Sequence, residues 1–99
     1  MIDETKHAFG IDISRYDSAN SLMDFKIAAK YTPYIRFIGI REGISWGYKD
    51  PFYDYHWEEA GKMHEYRMND DQPVGRIAYH VIYPSQSVQA QTDNLFKNI

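Results

Sequence analysis

Asp12 stands where an apolar residue is expected. It interrupts the run Gly10-Ile11-Asp12-Ile13, and an ionised carboxylate is costly to bury without a partner. It therefore either points into a polar pocket or serves structurally, capping a loop or pairing with Arg41. Arg41 and Glu42 close a second apolar run, Tyr34-Ile35-Arg36-Phe37-Ile38-Gly39-Ile40. Arg41 suits a partner for Asp12, a partner for a substrate hydroxyl, or half of a structural ion pair. Glu42 has two readings: the second carboxylate of a general-acid pair, or a solvated loop charge. Tyr79 and His80 lie in a third run, Arg76 to Tyr83. Consecutive strand residues face opposite ways, so one of the two faces the sheet interior and the other the helices. A lone strand histidine fits a hydrogen-bonded core residue as well as a catalyst. Tyr16, Trp46, Tyr48, Tyr79 and Tyr83 fall near the same run ends. Aromatic faces with interspersed carboxylates suit a cleft for sugar rings, whose C–H faces are apolar; the alternative is an aromatic enlargement of a small core. Trp46 and Tyr48, in a glycine-flanked loop, suit a functional surface.

Two chemistries find no support. His7, His56, His64 and His80 have no metal-ligand spacing, and His64-Glu65-Tyr66 is not the start of an HExxH motif. The glycines around residues 39–43 do not match a phosphate-cradling loop. No cofactor and no metal are expected.

The elements that must position these residues follow from periodicity. The three apolar runs, the first from His7 to Ser14, are rich in β-branched and aromatic residues and bounded by polar or turn residues, as buried strands are. Helix patterns lie between them. Ser21 is a candidate N-cap for a first helix that ends before Pro33. Asp50 followed by Pro51 caps a second helix, with Phe52, Tyr55, His56, Ala60, Met63 and Tyr66 on one face. Ser85 or Ser87 caps a third, with Val88, Gln91, Thr92, Leu95, Phe96 and Ile99 on one face. The order β-α-β-α-β-α implies an α/β fold with parallel strands and right-handed crossovers. The site of such a sheet lies at the carboxyl ends of its strands. Neighbouring strands are about 4.8 Å apart, so Asp12, Arg41, Glu42, Tyr79 and His80 are expected to share one cleft.

Composition sets the outer limits. Ninety-nine residues make a single domain. With 43% hydrophobic and 25% charged residues the chain is neither disordered nor fibrous. A net charge of −3 argues against neutralising nucleic-acid phosphate. The absence of cysteine excludes disulfides and thiolate chemistry. No apolar run reaches the roughly 18–20 residues of a membrane span, and the opening residues do not form a signal-peptide pattern.

The motifs also match a known pattern in order. Gly10 to Tyr16, GIDISRY, resembles the opening strand of family-25 glycoside hydrolases, the lysozymes that cleave the muramic-acid linkage of peptidoglycan. Met23-Asp24-Phe25 resembles that family's first helix, and Phe37 to Gly43, FIGIREG, its second strand. Asp50-Pro51-Phe52-Tyr53 with His56-Trp57 and Ala60 resembles its next helix, and the segment from Ala78 to Phe96 its Ala-Tyr-His strand and following helix. The resemblance implies a modified β/α (TIM-like) barrel, of which this chain is the N-terminal part. It implies a muramidase that takes peptidoglycan and acts at the cell wall or outside the cell. Asp12 matches the first-strand active-site Asp, Tyr79 a tyrosine near the sugar cleft, and Arg41 a supporting basic residue; Glu42 has no clear counterpart. His56 stands where Asn is usual, and Ile77-Ala78 where Gly-Ala is common. The family's fourth-strand Asp-x-Glu, which supplies the general acid, has no counterpart in these 99 residues. Three further expectations follow. The chain is a portion of a lysozyme that a missing C-terminal half or self-association completes, a non-catalytic glycan-binding or assembly module, or a small α/β oligomer of unrelated function.

Overall fold

The computed structural model describes residues 8–67 and 72–99; His7 lies outside them. The sheet is built around one long central strand, β2 (Ile35–Ile44). Strand β1 (Phe9–Ile13) pairs with it in parallel on one side, with Asp12 opposite Gly39. Strand β4 (Gly75–Val81) pairs in parallel on the other, with Gly39 opposite Ile77 and Arg41 opposite Tyr79. The three long strands are thus parallel and lie in chain order, and the sheet is open. A two-residue strand, β3 (Tyr48–Lys49), was not foreseen; it folds back antiparallel on Gly43 and Ile44.

Helix α1 (Phe25–Lys30) starts later than Ser21 suggests, because the Asp24 carboxylate accepts the Lys26 and Ile27 N–H groups and is the cap itself. Helix α2 (Tyr53–Gly61) gives way at Gly61 to a 3-10 turn over Met63–Tyr66, so the expected long helix is two elements. Its expected inner face holds: His56, Ala60 and Met63 are fully buried. Helix α3 (Val88–Asn98) is capped by Ser87, which accepts the Ala90 N–H. None of these helices is long and apolar enough to cross a membrane.

The core lies on the helix-covered side of the sheet. Ile13, Ile38 and Ile40 pack there with Phe25, Ala29, Tyr53, Ala60 and Met63. Strand alternation sends the intervening residues to the opposite, uncovered face. That face carries Phe37 and Ile77, both exposed, and Asp12.

The face of α3 departs from expectation. Its buried residues are Gln91 and Asn94, while Val88 is 76% and Phe96 66% exposed. Hydrogen bonding decides the rotation. The Gln91 amide both accepts the Tyr83 N–H and donates to the Tyr83 carbonyl. Asn94 donates to the carbonyls of Ser45 and Tyr48. Backbone groups near a sheet end need partners, and a polar face supplies them where an apolar stripe does not.

Candidate active site

Asp12 projects from β1 onto the uncovered face and is exposed. Its geometry depends on the residue opposite: a Cβ on Gly39 would sit 2.4 Å from Asp12 Oδ1 and 3.6 Å from the Tyr79 ring. Glycine lets the carboxylate lie across β2 towards β4, so Asp12, Gly39 and Tyr79 form one patch. Asp12 makes no hydrogen bond or ion pair among the described residues. The Tyr79 hydroxyl donates to the Ile13 carbonyl at 3.2 Å. Burial raises its pKa above the ordinary tyrosine value, the Arg41 charge opposes this, and Asp12 adds to it. Tyr79 is therefore a neutral donor and ring surface beside a carboxylate.

Arg41 does not pair with Asp12. Its Nε donates to Asp50 Oδ2 at 3.0 Å, and both side chains are buried. The same oxygen accepts the Arg15 N–H at 2.9 Å, and Oδ1 accepts the Phe52 N–H at 2.9 Å. Asp50 thus joins β2, the residues after β1 and the turn that leads into α2; it is not the helix cap expected of it, because α2 begins at Tyr53 behind Phe52 and has no side-chain cap. This is the structural ion pair among the alternatives for Arg41. The Arg41 guanidinium also lies 5.6 and 5.8 Å from the Tyr16 and Tyr48 ring centroids, and that of Arg15 lies 4.8 and 5.9 Å from the same rings. Arg15 donates to the Tyr16 hydroxyl at 3.2 Å and lowers its pKa, with a smaller contribution from Arg41. Arg41 Nη2 is buried with no hydrogen-bond partner among the described residues.

Glu42 and His80 are not in this patch. Both are turned to the helix side, where His80 Nδ1 lies 3.1 and 3.3 Å from the two Glu42 oxygens. Asn98 of α3 donates to Glu42 Oε1 at 3.2 Å. His80 Nε2 lies 2.6 Å from the Ser45 carbonyl. A carbonyl only accepts, so Nε2 carries a hydrogen. The Nδ1–Glu42 contact then needs a second proton, either on the ring or on the carboxyl group. The expected cleft of five polar residues is thus divided: Asp12, Arg41 and Tyr79 lie on one face, Glu42 and His80 on the other. A backbone irregularity between Arg41 and Gly43 accompanies the change of side. Trp46 caps the β2–β3 turn and is 63% exposed.

Sequence reasoning passed over Gly39, Asp50 and Asn94 as site-building residues. A glycine inside a strand, level with an acid on its neighbour, was the available signal for Gly39. Nothing in the spacing distinguished Asp50 as a cap from Asp50 as a junction.

Chemically, the patch offers an exposed carboxylate without an internal partner and a neutral phenol, with the Arg41–Asp50 pair buried beside them. Such a carboxylate is free to accept hydrogen bonds from a polyol or to stabilise positive charge developing on it. Hydrolysis of a glycosidic bond pairs two carboxylates across it, and Glu42, buried on the other face, does not face Asp12.

Among solved structures, the muramidase from Trichobolus zukalii matches 93% of this chain with a TM-score of 0.69 and 30% sequence identity. The fold resembles part of a muramidase. The chain spans 38% of that protein's length. No family model and no curated protein sequence matches it.

Proposed function

We propose that this chain is a portion of a family-25-type lysozyme, a glycoside hydrolase that cleaves the β-1,4 bond between N-acetylmuramic acid and N-acetylglucosamine in peptidoglycan. The observation that carries the reading is the placement of Asp12 across Gly39 towards Tyr79, in a chain whose sheet matches a muramidase over 93% of its length. Asp12 is the active-site carboxylate of this portion, and Tyr79 and Arg41 shape and charge the sugar surface beside it. The open sheet and the exposed apolar residues of β4 and α3 suit closure of a β/α barrel by further protein, which would bring the general acid.

A second reading is a non-catalytic glycan-binding or assembly module. The burial of Glu42 away from Asp12 favours it, since the described patch then holds one carboxylate where hydrolysis uses two.

One experiment separates the two. The chain is fused to the part of the Trichobolus zukalii muramidase that has no counterpart here, and reducing ends released from purified bacterial cell walls are measured. Asp12→Asn is expected to lower release about a hundredfold or more. Gly39→Ala, which pushes the carboxylate aside, is expected to act in the same direction. Release unchanged in Asp12→Asn would remove Asp12 from the mechanism. Co-sedimentation with the walls, without release from any form, would establish the binding module.

A further inference from the structure

Beyond the Asp12 patch, the turn between β2 and β3 forms the wall of a trough of about 450 Å³. Its lining is Ile44, Ser45, Trp46, Gly47, Tyr48 and Tyr83. The volume falls within the roughly 300–1,000 Å³ typical of small-molecule sites. None of the lining residues is a carboxylate or a cation, which disfavours a charged ligand. Trp46 is 63% and Tyr83 48% exposed, so two large aromatic groups meet solvent at a concave surface.

The turn is held in an uncommon conformation. Ser45 has a φ of 51°, a left-handed geometry that a non-glycine residue keeps only where its surroundings impose it. The surroundings here are well defined. The Ser45 N–H donates to the Val81 carbonyl at 2.8 Å. The Ser45 carbonyl accepts from His80 Nε2 at 2.6 Å and from Asn94 at 3.1 Å, and Asn94 also holds the Tyr48 carbonyl at 3.1 Å. Behind His80 stands the buried Glu42, itself held by Asn98. Gly43 admits the Tyr48 carbonyl where a Cβ would sit 2.2 Å from it. The Glu42–His80 pair, unused by the Asp12 patch, therefore ends on the backbone that carries Trp46. Two hydroxyls of the lining, Ser45 Oγ and Tyr48 Oη, are buried with no hydrogen-bond partner among the described residues.

Tyr48 belongs to both sites. Its ring lies against the guanidinium groups of Arg15 and Arg41 and also lines the trough. Tyr48 is thus the residue that the trough shares with the surroundings of Arg41.

We propose that this trough is a second glycan-contact site, which takes one uncharged N-acetylated sugar ring against Trp46 and Tyr83, and that His80, backed by Glu42 and joined by Asn94, positions the turn that forms it. The proposal rests on the glycan reading above. An uncharged, aromatic-lined trough suits the apolar face of a pyranose better than the charged peptide stem of a cell wall, and the Tyr48 ring that it shares with the surroundings of Arg41 suits another unit of the same polymer. His80 is a positioning residue and does not meet the sugar through its ring nitrogens, which are committed to Glu42 and Ser45.

The test uses the 99-residue chain labelled with nitrogen-15 and the uncharged tetrasaccharide of N-acetylglucosamine as probe. The chain has two tryptophans, so two indole N–H signals are followed. The Trp46 signal is expected to shift on titration while that of Trp57 stays. Trp46→Ala, at an exposed position, is expected to weaken binding about tenfold or more. His80→Ala is expected to move the Trp46 signal in the free protein and weaken binding to a similar degree. His80→Gln, which keeps an amide donor for the Ser45 carbonyl, is expected to recover most of it. Where His80→Ala proves unfolded, Asn94→Ala gives the same readout from the other donor. No shift at Trp46 with the wild-type chain, or equal binding by Trp46→Ala, overturns the site. Equal binding and an unmoved Trp46 signal in His80→Ala overturn the positioning role. A shift caused by a sugar-free anionic stem tetrapeptide and not by the tetrasaccharide overturns the choice of ligand. Loss of the hydrolytic reading is scored separately by reducing ends and leaves these signals unaffected.

Discussion

The two sides of β2 are finished to different degrees. Where helices α1 and α2 cover the sheet, α2 packing on both β2 and β4, Phe25, Ala29, Tyr53 and Ala60 line the core and buried polar groups find partners across elements. Arg67 donates to the Ala29 and Ile35 carbonyls, tying the end of α1 to the start of β2. Asp50 ties β2 to β1 and α2. On the β4 side, Ile77 is 55% exposed, and Ile82, Val88, Phe96 and Ile99 are also open to solvent. There α3 is held mainly by amides on backbone carbonyls and on Glu42. Clustered exposed apolar residues mark surfaces that other protein or ligand covers. Asp12 stands on the uncovered face of the sheet, in register with Gly39 and Ile77, and the trough stands at the turn that ends β2.

The largest effect expected from this comparison is at Asp50. Asp50→Ala leaves Arg41 as a buried cation without its counter-ion and frees the Arg15 and Phe52 N–H groups. Breaking a buried pair from one side costs about 3–5 kcal/mol, a loss that urea denaturation would read directly. Replacing both charges, in Arg41→Met with Asp50→Leu, is expected to restore much of it, because no unpaired charge remains. A cost below about 1 kcal/mol for Asp50→Ala would mean that the finished side does not depend on this junction.

How much of this was readable beforehand differs residue by residue. That Asp12 points out of the core was legible, because an acid in an apolar run breaks a local rule. The three parallel strands were legible from their β-branched runs. Arg41 was legible as important but not in its partner, because pairing across 9 residues of chain depends on where β2 and α2 meet. The inner face of α3 was misread for a physical reason. Periodicity ranks positions by apolarity, yet the turn carbonyls required donors, and Asn94 had to face them. The Ser45 turn gave a glycine-flanked signal for a loop but none for its left-handed residue. The grouping of Glu42 and His80 with Asp12 failed on strand alternation itself: Glu42 follows Arg41 and His80 follows Tyr79, so each turns to the opposite face.

A smaller effect, with a pH signature, sharpens the account of the finished side. His56 is fully buried, with Nε2 2.7 Å from Ser18 Oγ. Burial lowers its pKa below the ordinary 6.5, while Asp50 and Asp17 oppose the shift. The unfolded chain then takes up a proton at higher pH than the folded one. The stability from neutral, buried His56 is complete above the ordinary value and is lost as pH falls from about 6.5 towards the lowered value. One such proton gives a slope of at most about 1.4 kcal/mol per pH unit. In His56→Asn, the difference in unfolding free energy between about pH 7.5 and about pH 5 is expected to shrink relative to the parent. An identical pH dependence in the two proteins would show that His56 is not held neutral.

The smallest effects are expected on the open side, and there a small number is the informative result. Ile77→Ser and Phe96→Ser alter exposed side chains on β4 and α3, so each should cost no more than about 0.5 kcal/mol at low protein concentration. Ile38→Ala, a truncation in the covered layer of the same sheet, should cost about 2–5 kcal/mol. The contrast fails in an instructive way if Ile77→Ser and Phe96→Ser are costly and their cost grows with protein concentration. Association that covers a surface adds stability by mass action, so a concentration-dependent loss, together with a later elution volume for the variants, would mean that a second copy of the chain covers the flank of β4 and α3. A negligible, concentration-independent loss would leave that flank free for a different polypeptide.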